Sequence, residues 1–178
     1  MRSREWNRIL ASLALTAPMA IQASAETYLT ENQAAAVLFP GVRLEPRWID
    51  LSADDIKKIS RASGERVSEP HVRFLMGPHQ EIVMIDRVIG KHELITYAVG
   101  LEPQGQVRGV EIMDYRETYG YQIRNKAWRE QFMGKTARDP IQLEKDIKNI
   151  SGATLSSAHV TNGVRRILQT YEILKSRI

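Results

Sequence analysis

An uninterrupted amphipathic run closes the chain and constrains its fold more than any other stretch. From Leu155 onward, Val160, Val164, Ile167, Leu168, Tyr171 and Leu174 recur at helical spacing with no proline between them, which predicts a helix with one apolar stripe. Lys175 and Arg177 fall where cations complement the last carbonyls of such a helix. A stripe of this length needs a surface to lie on, and three upstream runs supply one. Ile82 to Ile89 is rich in β-branched residues and ends at Gly90-Lys91. Ile95, Tyr97, Val99 and Leu101 then alternate with Leu94, Thr96, Ala98 and Gly100, a period of two. After the turn chemistry of Pro103-Gln104-Gly105, Val107 to Tyr115 forms a third strand. Consecutive strands with short turns predict an antiparallel meander. The closing helix must cover one of its faces, giving an α+β layer.

The N-terminal half reads differently. Arg2, Arg4 and Arg8 precede the apolar run Ile9 to Ala20, and Ala23-Ser24-Ala25 offers a small-x-small cleavage site. Residues 1–25 therefore read as a secretory signal peptide, and the protein is expected to be periplasmic. The run is too short, and too interrupted by Pro18 and Gln22, to span a membrane comfortably. Thr30 to Gln33 reads as a capping box opening a helix that ends at Phe39, before Pro40-Gly41. Ser52-Ala53-Asp54-Asp55 opens a second helix, stopped by Gly64. Residues 64–80, with Gly64, Pro70, Gly77 and Pro78, read as a connecting segment. On this division 26–78 is a small helical N-terminal extension and 79–178 is the main domain. Within the latter, a short helix is expected around Trp128 and Phe132.

Charge and cysteine content remove several classes of function. Without residues 1–25 the formal net charge falls from +4 to +2, and no concentrated basic face of the kind nucleic-acid binding needs is evident. The chain has no cysteine, so it forms no disulfide, thiolate metal site or cysteinyl flavin. His92-Glu93 lacks the second histidine of a zinc-protease helix. No nucleophile elbow or glycine-rich dinucleotide loop is present.

The segment Asn149-Ile150-Ser151-Gly152-Ala153-Thr154-Leu155-Ser156-Ser157 stands where irregular chain hands over to the closing helix. A helix start presents unpaired N–H groups and the positive end of the helix dipole, which favour a phosphate. Gly152 permits close backbone approach and Thr154 adds a hydroxyl at the same place. Ser and Thr at such a position are ordinarily capping residues, and chemistry alone leaves both readings open.

Ser151-Gly152-Ala153-Thr154 followed by Leu155-Ser156-Ser157 resembles the flavinylation motif of the FMN-binding domain family. That family includes the FMN-bearing subunits of the sodium-pumping NADH:quinone reductase and of the Rnf electron-transport complex. Three further segments resemble it in the right order: Gln104 to Val110, Glu117-Thr118-Tyr119-Gly120, and Gln131-Phe132-Met133-Gly134-Lys135. The match runs over roughly residues 80–175. The resemblance implies that a flavin transferase, with FAD as donor, joins FMN through its phosphate to Thr154. Many members carry an Asp three residues before the first Ser of the motif. This chain has Lys148 there, with Asp146 two residues earlier.

The same resemblance implies that the loop Glu117, Thr118, Tyr119, Gly120 folds close to the flavin. Tyr119 or Tyr121 would then stack on its ring, or else cap the sheet core, and Leu155 would touch the ring as the neighbour of the attachment point. His159, five residues after Thr154, is either a polar neighbour of the cofactor or a helix-surface histidine. The function implied is an exported electron carrier between a membrane-bound reductase and an unidentified acceptor. The alternatives are an exported FMN-dependent reductase of a small substrate, which would have a deep polar pocket beside the ring, and a flavin-free interaction module.

Overall fold

The computed structural model describes residues 26–178, so the expected signal peptide lies outside the described residues. Among them, six strands form one sheet in which every neighbouring pair is antiparallel. The strands are β1 (Glu26–Thr27), β2 (Glu45–Asp50), β3 (His71–Met76), β4 (Ile82–Ile89), β5 (Leu94–Leu101) and β6 (Val107–Tyr115). Their order is β1-β6-β5-β4-β3-β2, so β2 to β6 form a meander and β1 adds to its far edge. Four helices, α1 (Glu31–Leu38), α2 (Ala53–Ser63), α3 (Lys126–Arg129) and α4 (Thr154–Leu174), complete an α+β fold with the C-terminal helix on the sheet, as anticipated.

Alternation along the strands divides the core between the two faces. Ile82, Met84, Ile95, Tyr97, Val99 and Leu101 pack with Val160, Val164, Ile167, Leu168 and Tyr171 of α4. On the other face Leu75, Val83, Ala98 and Met113 meet Ala34, Ala35 and Leu38 of α1, with Phe39 beside them. Period two alone would send Tyr115 to the α1 face, because Met113 lies there. An irregularity in the β5–β6 ladder prevents this: Thr96 pairs with Asp114 while Tyr97 pairs with Ile112. The extra residue restores Tyr115 to the α4 face, where it is buried.

α4 is pinned at mid-length. A Cβ on Gly163 would lie 2.0 Å from the Tyr97 hydroxyl oxygen, 2.8 Å from its ring carbon and 3.0 Å from Val88. Glycine at this point lets the fully buried Tyr97 ring reach under the helix. Its hydroxyl donates to Asp86 Oδ2 at 3.0 Å, and Arg166 grips the same oxygen through Nη2 at 2.6 Å and Nε at 3.1 Å. Burial drives the Tyr97 hydroxyl well above the usual tyrosine range, with the Asp86 carboxylate adding to the effect. α2 braces the outer side of α4, where Arg165 Nε donates to the Ser63 carbonyl at 2.7 Å.

Both expected N-terminal helices are present with their capping boxes, Thr30 with Gln33 and Ser52 with Asp55. The segment 26–78 also holds three strands of the same sheet. The connecting segment expected over 64–80 is therefore corrected, since it contains β3. This strand is six residues long and bounded by Pro70 and Gly77-Pro78, so breaker residues outweigh its alternation. β2 is an edge strand, largely exposed and carrying Pro46, which hides its signal too. α4 ends at Leu174, so Lys175 stands at its cap and Arg177 beyond it rather than in its last turn. Arg177 instead pairs with Asp55 at 2.8 Å. The Ser52 backbone N–H, and then Arg177, lower the Asp55 carboxyl to about 2. The expected short helix is α3, continued by a 3-10 turn in which Phe132 meets Trp128 edge to face at 5.3 Å.

Gly163→Ala tests the pinning of α4. In a free helix this change would be favourable by about 1 kcal/mol. Here the clash with Tyr97 should outweigh it and lower stability by about 1–3 kcal/mol in denaturant melts. An unchanged or more stable variant would mean that Tyr97 does not wedge the helix in place.

Candidate functional site

The start of α4 is built without a side-chain cap. Ala153 is the N-cap residue, at φ −129°, and no side chain caps the first turn. The capping role open to Ser151 and Thr154 on chemical grounds is not what these residues adopt. The first helical bond runs from the Ser157 N–H to the Ala153 carbonyl at 2.8 Å. Among the described residues, no protein acceptor takes the N–H groups of Thr154, Leu155 or Ser156. Gly152 stands at φ +83°, in the left-handed region, and no atom lies within 4 Å of where its Cβ would be. Its backbone therefore faces open space next to three free donors.

The hydroxyls of the motif differ sharply in access. Ser151 and Thr154 are exposed, whereas Ser156 and Ser157 are buried. Ser157 Oγ reaches the Ala153 carbonyl at 2.7 Å and Asn149 Oδ1 at 2.9 Å. Asn149 Nδ2 in turn donates to Thr154 Oγ1 at 3.3 Å. In sequence Asn149 is no more than the start of the stretch. Its contacts span five and eight residues across an irregular turn, and no periodicity signals them.

Two other segments close on this helix start. Tyr115 donates to the Tyr119 carbonyl, which leaves its oxygen to accept from Ser156 Oγ at 3.2 Å. Gly120, at φ +93°, sits so close that a Cβ would lie 2.6 Å from the Tyr115 hydroxyl and 3.0 Å from Ser156 Oγ. The loop Glu117 to Gly120 is thus held against the motif. Tyr119 and Tyr121 do not cap the sheet core: they are 82% and 62% exposed, and Leu155 is 48% exposed. Thr118 is exposed beside them.

The third wall is the β4–β5 turn. His159 meets the Gly90 carbonyl through Nδ1 at 2.9 Å. A carbonyl only accepts, so Nδ1 carries the proton in this contact. Glu117 Oε1 accepts the backbone N–H groups of His92 at 2.5 Å and Glu93 at 2.9 Å. Burial pushes the Glu117 carboxyl upward, but the backbone donors of Glu93, His92 and Lys91 outweigh it, and the net shift is below the usual glutamate range. Glu117 and His159 therefore fasten the turn to the loop and to α4 rather than pointing free charge outward.

A cavity of about 510 Å3 opens elsewhere, where β3 and β4 pair only over Phe74–Met76 and Ile82–Met84 and then diverge. Val72, Arg73, Ile85, Arg87, Arg166 and Ile167 are among its lining residues, and none of the motif residues is. Among the described residues, no helix is long and apolar enough to cross a membrane.

The turn bonds give a pH test. A carboxyl lowered by folding contributes stability above its unfolded value, near 4.3, and loses it as pH falls through the folded value. Amide-exchange protection of His92 and Glu93 should be intact near neutrality and drop on acidification below about pH 4. Glu117→Ala should lose that protection at every pH with the fold retained. Protection unaffected by Glu117→Ala would show that the carboxylate does not hold the turn.

The geometry coincides with a family boundary. The family model described as FMN-binding domain matches residues 90–169. The chain is also similar to a subunit of the Na(+)-translocating ferredoxin:NAD(+) oxidoreductase complex of Acetobacterium woodii, at 27% identity over 141 residues, covering 70% of this chain and 67% of that protein. The matched stretch opens at Gly90, whose carbonyl meets His159, and runs through Glu117 to Gly120 and Ser151 to Ser157 into α4. Residues 90–169 are thus similar to the FMN-binding domain family, and the cofactor this indicates is FMN.

Proposed function

We propose that the chain is an exported electron carrier whose FMN is held by a phosphoester to Thr154. The observation that carries this reading is the exposed Thr154 hydroxyl at the uncapped start of α4. Next to it in the chain are three N–H groups without a protein acceptor and the open backbone of Gly152, within the stretch that matches the FMN-binding family. The residues present fit a phosphate. Thr154 supplies the ester oxygen, the N–H groups of Thr154, Leu155 and Ser156 face the anion, and the helix dipole favours it by about 0.3–1 kcal/mol. Bound FMN supplies reversible one- and two-electron chemistry. Tyr119, Tyr121 and Leu155 offer exposed aromatic and apolar surface to its flat ring. Glu117 and His159 hold the turn that closes the site.

A carrier is favoured over a reductase of small substrates because the hydroxyl and its apolar neighbours are exposed, while the 510 Å3 cavity is lined by other residues. The remaining parts of the proposal are a flavin transferase using FAD, a membrane-bound reductase as donor, a periplasmic acceptor, and cleavage before Glu26. The likeness to a subunit of a Na(+)-translocating oxidoreductase complex supports the redox role.

Coexpression of the full chain with a flavin transferase should give a denaturation-resistant fluorescent band. The chain should gain the mass of one FMN less water, and the same mass reports whether residues 1–25 are removed. Thr154→Ser should retain some label, and Thr154→Ala should abolish it with the fold intact. Covalent flavin on the Thr154→Ala chain would move attachment to Ser151, the other exposed hydroxyl of the motif.

For the ring, Tyr119→Ala should alter flavin absorbance or midpoint potential without preventing attachment, since an aromatic stack contributes roughly 0.5–1.5 kcal/mol. Spectra and potentials unchanged in both Tyr119→Ala and Tyr121→Ala would remove this loop from the site.

A further inference from the structure

We propose that Asn149 is a positioning residue for covalent attachment, its side-chain amide orienting the Thr154 hydroxyl for attack. The inference rests on the assignment of Thr154 as the attachment point and adds a residue that assignment does not contain.

The orientation of the amide follows from its partners. One end of Asn149 receives the Ile150 backbone N–H at 2.8 Å and faces Ser157 Oγ at 2.9 Å. A backbone N–H meets only an acceptor, so that end is Oδ1. The other end is then Nδ2, 3.3 Å from Thr154 Oγ1. Because Nδ2 only donates, Thr154 Oγ1 accepts, and its own proton is turned elsewhere. Ser157 is fully buried, so the side chain that pins Asn149 is itself fixed.

Without this contact the Thr154 rotamer would be poorly determined. Threonine in a helix divides its χ1 between wells because Oγ1 can bond a carbonyl three or four residues back. Here the carbonyl four residues back, that of Ile150, already accepts the Ala153 N–H at 3.0 Å. Asn149 offers a donor instead, and a donor leaves the hydroxyl proton free to be removed.

In the step itself Thr154 Oγ1 forms a bond to the phosphorus of the FMN half of FAD. The pyrophosphate P–O bond to the AMP half breaks and AMP leaves. The hydroxyl proton passes to a base of the transferase, and no oxidation or reduction occurs. A neutral amide suits this step because it presents no negative charge to the incoming pyrophosphate.

The test uses the full chain, FAD and a flavin transferase, with the rate of covalent labelling followed as the concentration of the chain is varied. Asn149→Asp keeps oxygen acceptors for Ile150 and Ser157 but replaces the donor. Its maximal rate should fall roughly tenfold with the KM for the chain unchanged. The loss should persist between about pH 5.5 and about pH 7.5, because an aspartate, titrating at about 3.9, stays ionised there and offers no O–H donor. Asn149→Ala, which also lacks the donor, should be slowed by a similar factor. Native maximal rates in both variants, a change confined to KM, or a loss in both variants that tracks a lowered Tm would each overturn the role. Thr154→Ala, run in parallel, separates the two ideas: label on that variant would refute the attachment point itself, whatever Asn149 does.

Discussion

The packing of α4 across the sheet is the constraint on which the site depends. Its apolar stripe buries Val160, Val164, Ile167 and Leu168 against the inward residues of β4 and β5. A stripe alone would allow sliding along the helix axis, because apolar contacts are non-directional. The Tyr97 ring beneath Gly163 and the Arg166–Asp86 pair remove that freedom. Thr154 lies nine residues from Gly163, about 13 Å along the axis, so fixing the middle of the helix fixes where its first turn stands. The bonds at that turn, His159 to Gly90 and Ser156 to Tyr115, then have partners at defined distances.

Local electrostatics at the helix start follow from how nearby charges are used. A free carboxylate beside three unpaired N–H groups would compete with a phosphate for them or repel it. Glu117 is the acidic residue of the loop itself, and its charge is consumed by the backbone of the β4–β5 turn. Asp146, the nearest acid before the motif, is likewise engaged by Lys135 at 3.0 Å and by the Ile141 and Gln142 N–H groups. Its carboxyl is lowered overall, because these donors outweigh the effect of burial. Both carboxylates are tied to structure, and the donors at Thr154 to Ser156 remain available.

What the sequence disclosed and what it concealed separate along one physical line. The three strands over 82–115 and the closing helix were legible because each carries its own periodicity, and their observed bounds match the expected ones closely. The capping boxes of α1 and α2 were legible because both partners lie within four residues. β2 and β3 were not, since an exposed edge strand and a six-residue strand between prolines depend on their neighbours for pairing. The Ser-Gly-Ala-Thr motif could be read directly, yet resemblance alone, and not its chemistry, ranks its hydroxyls. Access to Ser156 and Ser157 is decided by Tyr115, Asn149 and the helix geometry, none of which a short motif contains. In sequence His159 stands between two roles for the same reason, its partner lying 69 residues away.

Separation between the motif and the cavity bears on how a carrier of this shape would work. Arg166, at the cavity lining, follows Thr154 by twelve residues, about 18 Å along α4. Its guanidinium is committed to Asp86 and to the Arg87 carbonyl at 3.2 Å, where it satisfies backbone that β3 leaves behind as it diverges from β4. The opening is thus explained by the sheet's own geometry, and its charged lining is partly engaged in closing strand ends. At the helix start the opposite holds: Tyr119, Tyr121 and Leu155 are exposed without a structural task that requires it. Exposed aromatic surface next to an anion-favouring helix end suits a flavin presented to partner proteins.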